Sequence, residues 1–277
     1  MKTNFVTEPA ESSRINEDTI FCDNVNHVYA IFDGATSLSG FKDKNGYSGG
    51  YIAANIAKQM CKDFRGKTDT DLLNLLLTVN SELKKQMITN SIDINNKTEL
   101  WSTTAAIVKI QDGWVNWAQI SDSIILMIYK NRTYKTFGEK RNHDQGLMLL
   151  LKDLKHRPVD NAKEVIMKYV FDLRNRSNID YGFLNGEPEA TKFIAHGKVK
   201  LSELSDIVLF SDGLIPLVND PEFDPQYDEF ITIYKQSGVK GVKDWIRNLE
   251  NSDPDCNSFI RNKAHDDISI IGIVLNS

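Results

Sequence analysis

The chain has 277 residues, 41% of them hydrophobic and 26% charged, ordinary proportions for a globular protein with a sizeable core. Its net charge of -5 gives no field that would gather nucleic acid or anionic lipid, which argues against a binder of either. Its three cysteines, Cys22, Cys61 and Cys256, form no pair at metal or redox spacing, which predicts a reducing compartment and no disulfide framework.

In chain order, Met1-Lys2-Thr3-Asn4-Phe5 lacks the charged-then-apolar form of a secretory signal, and no apolar stretch approaches the ~20 residues of a membrane span. The expectation is a cytoplasmic protein with no membrane partner. Asn16-Glu17-Asp18 precedes a β-type run at Thr19 to Cys22, and a second run, Val28 to Phe32, ends at Asp33-Gly34. Two helical patterns follow, with Ala53, Ala57, Met60, Cys61 and Phe64 on one apolar face and Leu72, Leu76, Val79, Leu83 and Met87 on the next. Between them Thr68 or Asp69 is placed to cap the second helix.

Strands are predicted at Thr104 to Ile110, Trp114 to Ile120 and Ile124 to Tyr129, with Gln111-Asp112-Gly113 and Lys130-Asn131-Arg132 as turns, so antiparallel pairing is favoured. The stretch 138–197 is charged and irregular and reads as an insertion, with one helical pattern through Val165, Ile166, Tyr169, Val170 and Leu173. Further strands are expected at Lys192 to Ala195, at Ile207 to Phe210 before Ser211-Asp212-Gly213, and at Ile268 to Leu275 after Asp266-Asp267. A last helix carries Val242, Trp245, Ile246 and Leu249. No linker or repeat divides the chain, so residues 1–277 read as one domain of sheets with helices layered outside.

The acids Glu17, Asp33, Asp212 and the Asp266-Asp267 pair each stand at the edge of a β-type run, where a strand end fixes a carboxylate's direction. Gathered at one rim, such oxygens suit Mg²⁺ or Mn²⁺, hard ions that take oxygen ligands in octahedral geometry. A carboxylate bridging two ions ~4 Å apart lets a shared water attack phosphorus in line. Asp33 is the bridging candidate, and Gly34 offers a main-chain carbonyl that no side chain shields. Taken singly, each Asp-Gly reads as a turn; the order of the motifs gives them weight.

That order is Asn16-Glu17-Asp18, Ile31-Phe32-Asp33-Gly34, Ser102-Thr103-Thr104-Ala105, Ser121-Asp122-Ser123, Phe210-Ser211-Asp212-Gly213-Leu214 and Asp266-Asp267-Ile268-Ser269. It resembles the protein phosphatase 2C family of metal-dependent serine/threonine phosphatases. The resemblance implies an α+β fold, a four-layer α/β/β/α sandwich of two antiparallel sheets flanked by helix pairs. It also implies that Glu17, Asp33 and the Gly34 carbonyl hold one Mn²⁺ or Mg²⁺ ion, that Asp33, Asp212 and Asp266 hold a second, and that Asp122 serves a possible third. Asp18 would orient a metal-bound water, Arg14 would grip the substrate phosphate, and the substrate would be a phosphorylated protein in signalling.

Two departures bear on catalysis. The family's Asp-Gly-His-Gly-Gly is here Asp33-Gly34-Ala35-Thr36-Ser37, which removes the histidine proposed to protonate the leaving alkoxide and leaves His27, His143, His196 or His265 to reach the site from elsewhere. The family's Gly-Asp-Ser-Arg is here Ser121-Asp122-Ser123-Ile124. Two other readings follow, a catalytically weak or inactive phosphatase-like binding module and a phosphatase of small phosphorylated metabolites. Thr103 and Thr104 read as strand packing, and Ser123 and Ser211 lack the Gly-x-Ser-x-Gly setting of a nucleophile.

Overall fold

The computed structural model describes residues 1–10, 15–35, 37–138, 143–157 and 159–275. The strands are β1 (Lys2–Glu8), β2 (Thr19–Asp23), β3 (Val28–Phe32), β4 (Gly34–Ala35), β5 (Ser102–Thr103) and β6 (Ala105–Gln111). There follow β7 (Trp114–Ile120), β8 (Ile124–Tyr129), β9 (Tyr134–Phe137), β10 (Ala195–Lys200), β11 (Leu204–Phe210) and β12 (Ile268–Val274). The helices are α1 (Gly49–Lys62), α2 (Asp69–Thr89), α3 (Gln145–His156), α4 (Ala162–Asn175) and α5 (Asp228–Ser252).

Two five-stranded sheets, ordered β1-β12-β11-β8-β9 and β10-β7-β6-β3-β2, are antiparallel throughout. Strand periodicity sorts their side chains into three apolar layers. Between the sheets Tyr29, Ile31, Ala106 and Val108 meet Ile125, Met127, Ile207, Leu209, Ile271 and Ile273. The opposite face of the first sheet, with Ala30, Phe32, Ala105 and Ile107, packs on α1 and α2 through Ala53, Ala57, Leu72, Leu76, Val79 and Leu83. The outer face of the second, with Leu126, Ile128, Val208, Phe210 and Ile270, packs on α5 through Phe230, Tyr234, Val242 and Ile246. Central strands are covered on both faces, so β3, β6, β8 and β12 read as nearly unbroken apolar runs. Each fully buried leucine such as Leu72 or Leu76 contributes roughly 1.5–3 kcal/mol.

The α/β/β/α sandwich is the expected one. α1 and α2 form one outer pair, and on the other sheet α5 is two helical segments joined by a kink at Gly238. Thr68 caps α2 in a reciprocal box with Asp71, as the sequence predicts. The insertion is more regular than expected, because α3 and α4 occupy much of it. The strand expected at Lys192 to Ala195 is displaced: Pro188–Phe193 forms a 3₁₀ turn and β10 runs from Ala195 to Lys200, its outward residues polar. Among the described residues no helix is long and apolar enough to cross a membrane.

Candidate metal centre

Strand register brings the acids together. Thr19 pairs with Phe32, so Asp18 and Asp33 leave β2 and β3 at the same end. Ala105 pairs with Ile120, which puts Thr104 and Ser121 at that end of β6 and β7. In the second sheet Phe210 pairs with both Ile124 and Ile270, so Ser211-Asp212, Asp122-Ser123 and Asp267-Ile268-Ser269 emerge beside one another. Acids separated by up to about 250 residues therefore share one rim.

Small hydroxyl groups lock this rim. Thr104 N–H donates to the Asp33 carbonyl at 2.8 Å, Thr103 Oγ1 donates to the same oxygen at 2.8 Å, and Asp33 N–H donates to Thr104 Oγ1 at 3.3 Å. Thr104 Oγ1 also meets Ser123 Oγ at 2.5 Å, which ties the two sheets. Ser211 Oγ donates to Asp18 Oδ2 at 2.6 Å and accepts Ser269 N–H at 2.9 Å. Asp267 accepts the N–H groups of Ala10 and Glu17, each at 2.7 Å, so of the twin aspartates it clamps the chain leading to Glu17 while Asp266 stands free of that duty. The sequence presents these residues as packing or as one half of a pair; their hydrogen-bond partners lie 19 to 257 residues away, and only a run of hydroxyl residues beside an acidic strand end hinted at them.

Gly34 is required here by space. A Cβ on it would lie 2.3 Å from the Gly50 carbonyl oxygen and 2.9 Å from that of Glu17. The first turn of α1 thus packs backbone to backbone against the Asp33-Gly34 segment. Ser48, the N-cap of α1, accepts Tyr51 N–H at 3.1 Å and donates to Glu17 Oε1, which places Glu17 at the N-terminal end of that helix.

The electrostatics are those of crowded carboxyls. Burial raises Asp33 well above the ordinary carboxyl range, and the charges of Asp18, Asp212 and Asp122 add to it. Asp212 is raised likewise by burial, Asp266 and Asp122, against the opposing pull of Lys263. The Asp33 and Asp212 carboxyls lie close enough to compete for one proton. Burial pushes Asp18 up to about 7, offset in part by its bond from Ser211. Its Oδ1 is buried without a hydrogen-bond partner among the described residues.

As placed, no three His, Cys, Asp or Glu side chains form a closed ligand set among the described residues. Asp266 faces Lys263, and Glu17 faces Ser48. The donors nevertheless fit a hard divalent cation. They are all oxygen, they repel one another, and an acceptor atom of Asp18 is buried beside them with nothing to bind.

Arg14 and Thr36 lie outside the described residues. Of the candidate histidines, His143 comes to this rim: its Nε2 is 3.5 Å from Asp122 Oδ2, and its ring stacks on Tyr181 at 4.5 Å. His196 pairs with Asp69, His265 with Asn251, and His27 lies in the β2–β3 turn at the far end. Arg174, in the last turn of α4, belongs to the run Arg174-Asn175-Arg176 that the sequence reads as solvated surface. Burial draws its guanidinium below its ordinary value, and Tyr181, Asp144 and Glu17 oppose that shift.

Comparisons with known proteins bear on the family and the fold. The family model described as protein phosphatase 2C matches residues 9–249. The serine/threonine phosphatase PstP/Ppp of Mycobacterium tuberculosis superposes with a TM-score of 0.62 at 14% identity, covering 100% of this chain and 99% of that one. Stp1 from Staphylococcus aureus gives 0.59 at 17% identity, covering 100% and 95%. The PstP catalytic domain crystallised in complex with 2 manganese ions gives 0.61 at 14% identity, covering 99% and 98%. At these identities the solved structures speak for the fold alone. No curated protein matches the chain.

Proposed function

The chain belongs to the protein phosphatase 2C family, and from that premise we propose that it is a metal-dependent phosphomonoester hydrolase acting on phosphoserine and phosphothreonine in proteins. The observation that carries this reading is the meeting of Asp33 and Asp212, drawn from different sheets, at one buried rim with Asp18, Asp122 and Asp266 around them. Glu17, Asp33 and the Gly34 carbonyl are assigned to one Mn²⁺ or Mg²⁺ ion, Asp33, Asp212 and Asp266 to a second, and Asp122 to a possible third. When bound, these ions supply charge to neutralise phosphoryl oxygens and to lower the pKa of water.

The chain's own residues do the positioning. Thr103 and Thr104 fix the Asp33 backbone, and Ser211 turns Asp18 so that one carboxylate oxygen stays available inside the site. Arg14 is assigned to the substrate phosphate as a bidentate donor.

The test is Mn²⁺-dependent hydrolysis of p-nitrophenyl phosphate and of a phosphothreonine peptide. Asp33→Asn and Asp212→Asn are each expected to lower kcat at least about 100-fold with an unchanged circular dichroism spectrum. Full activity in either variant would refute the assignment. The loss of the family histidine favours one second reading, a binding module that no longer turns over; wild-type protein that binds Mn²⁺ yet hydrolyses neither substrate would establish it.

A further inference from the structure

The loop between α5 and β12 carries a lysine into the acidic rim on a fixed backbone. Asp253 accepts the N–H groups of Asn257, Ser258 and Phe259 at 2.8, 3.1 and 2.9 Å, and Arg261 Nη1 at 3.0 Å. Arg261 Nε donates to the Ala264 carbonyl at 3.2 Å, and Arg247 Nη2 donates to that of Asp266 at 2.8 Å. The main chain is therefore held on both sides of Lys263. From this frame Lys263 Nζ reaches Asp266 Oδ1 at 2.7 Å, the oxygen that also accepts Asp267 N–H at 2.9 Å.

The ammonium acts beyond its partner. The carboxylates that feel it are Asp266, Asp212 and Asp33, the same three that the proposed function assigns to the second metal ion. A monovalent cation tethered to the protein thus stands among the acids meant for a divalent one.

We propose that Lys263 is a built-in counter-ion for the second metal position, holding Asp266 and tempering Asp212 and Asp33 until a divalent cation displaces it. This inference rests on the metal-centre reading above. Two cations cannot share Asp266 Oδ1 without strong mutual repulsion, even at an intermediate dielectric. Lysine suits an exchange: its charge sits on a flexible four-carbon stem, and at 54% side-chain exposure it can swing into water when displaced. Arginine, with a rigid fork, would hold a carboxylate more stubbornly. The second ion therefore binds more weakly than the first, which shares only Asp33 with the carboxylates that Lys263 acts on.

Calorimetric titration of the metal-free full chain with MnCl₂ tests this. Wild type is expected to show two steps. Lys263→Met is expected to tighten the weaker step about tenfold or more, with a smaller change in the tighter one. In a melting experiment the metal-free variant unfolds at a lower temperature than wild type, and saturating Mn²⁺ removes the deficit. Lys85→Met, which deletes an equal charge from an exposed pair with Glu82, controls for net charge and leaves both steps unchanged. Lys263→Gln replaces the methionine variant if that one fails to fold. Two-step binding with an unaltered weaker step in the Lys263 variant overturns the proposal and leaves the metal centre standing. No Mn²⁺ binding in wild type overturns the metal centre as well.

Discussion

Asp18 is held on one side and open on the other. Ser211 donates to Oδ2, Oδ1 is buried without a partner among the described residues, and burial pushes the group up to about 7. A folded-state pKa raised above the unfolded value near 3.8 means that the native state keeps a proton the unfolded chain has lost. The contribution to stability is full below the unfolded value and is lost as pH rises through about 7. In chelator-treated protein, Asp18→Asn is therefore expected to raise the melting temperature relative to wild type, by little at pH 5 and by more at pH 8. A variant whose gain is flat across that range would show that the carboxyl does not titrate as its surroundings dictate. On the proposed function, the same crowding would favour a divalent ion at this rim, since the ion relieves the desolvated charge that a proton otherwise neutralises.

α5 shows how one backbone position shapes an outer layer. Gly238, at φ 67° and ψ -164°, occupies a region open essentially to glycine, and the bend lets Phe230 and Tyr234 before it and Val242 and Ile246 after it all face the same sheet. A Cβ at this position would meet nothing within 4 Å, so Gly238→Ala isolates the backbone cost from any clash. The expected loss is about 1–3 kcal/mol in denaturant unfolding, with Mn²⁺ affinity unchanged. A neutral substitution would mean that the helix tolerates another bend. The edge strands show a different element-scale rule. β1 and β9 escape the sequence reading because each is covered on one side only, and KTNFVTE and YKTF alternate too weakly to stand out from loops.

Across the whole molecule, crowded acids meet at the end where the two sheets adjoin, and the proposed metal centre would draw the sheets together there. Thr104 with Ser123, Asp18 with Ser211, and Glu17 with Asp267 are among the hydrogen bonds crossing the sandwich at that end. Hydrogen exchange should therefore respond to chelation asymmetrically. Amides at 17–18, 33–34, 211–213 and 266–269 are expected to exchange at least several-fold faster without metal, while the hairpins at 24–27 and 111–114, at the opposite end, keep their protection. Uniform acceleration along the chain would instead mark the metal as a global stabiliser.

The sequence alone determined the β-type runs buried on both faces, the capped helix pair, and the acids at strand ends, because these depend on local periodicity and residue type. It reached the order of Glu17, Asp33, Asp122, Asp212 and Asp266, and the layered α+β architecture. Only the tertiary structure decided that Asp267 clamps backbone while Asp266 meets Lys263, that His143 rather than His265 approaches the acids, and that α3 and α4 order the insertion. Those outcomes turn on register between strands distant in the chain and on which face a loop presents. A side chain's identity is local, whereas its hydrogen-bond partner is set by the packing of every element between the two.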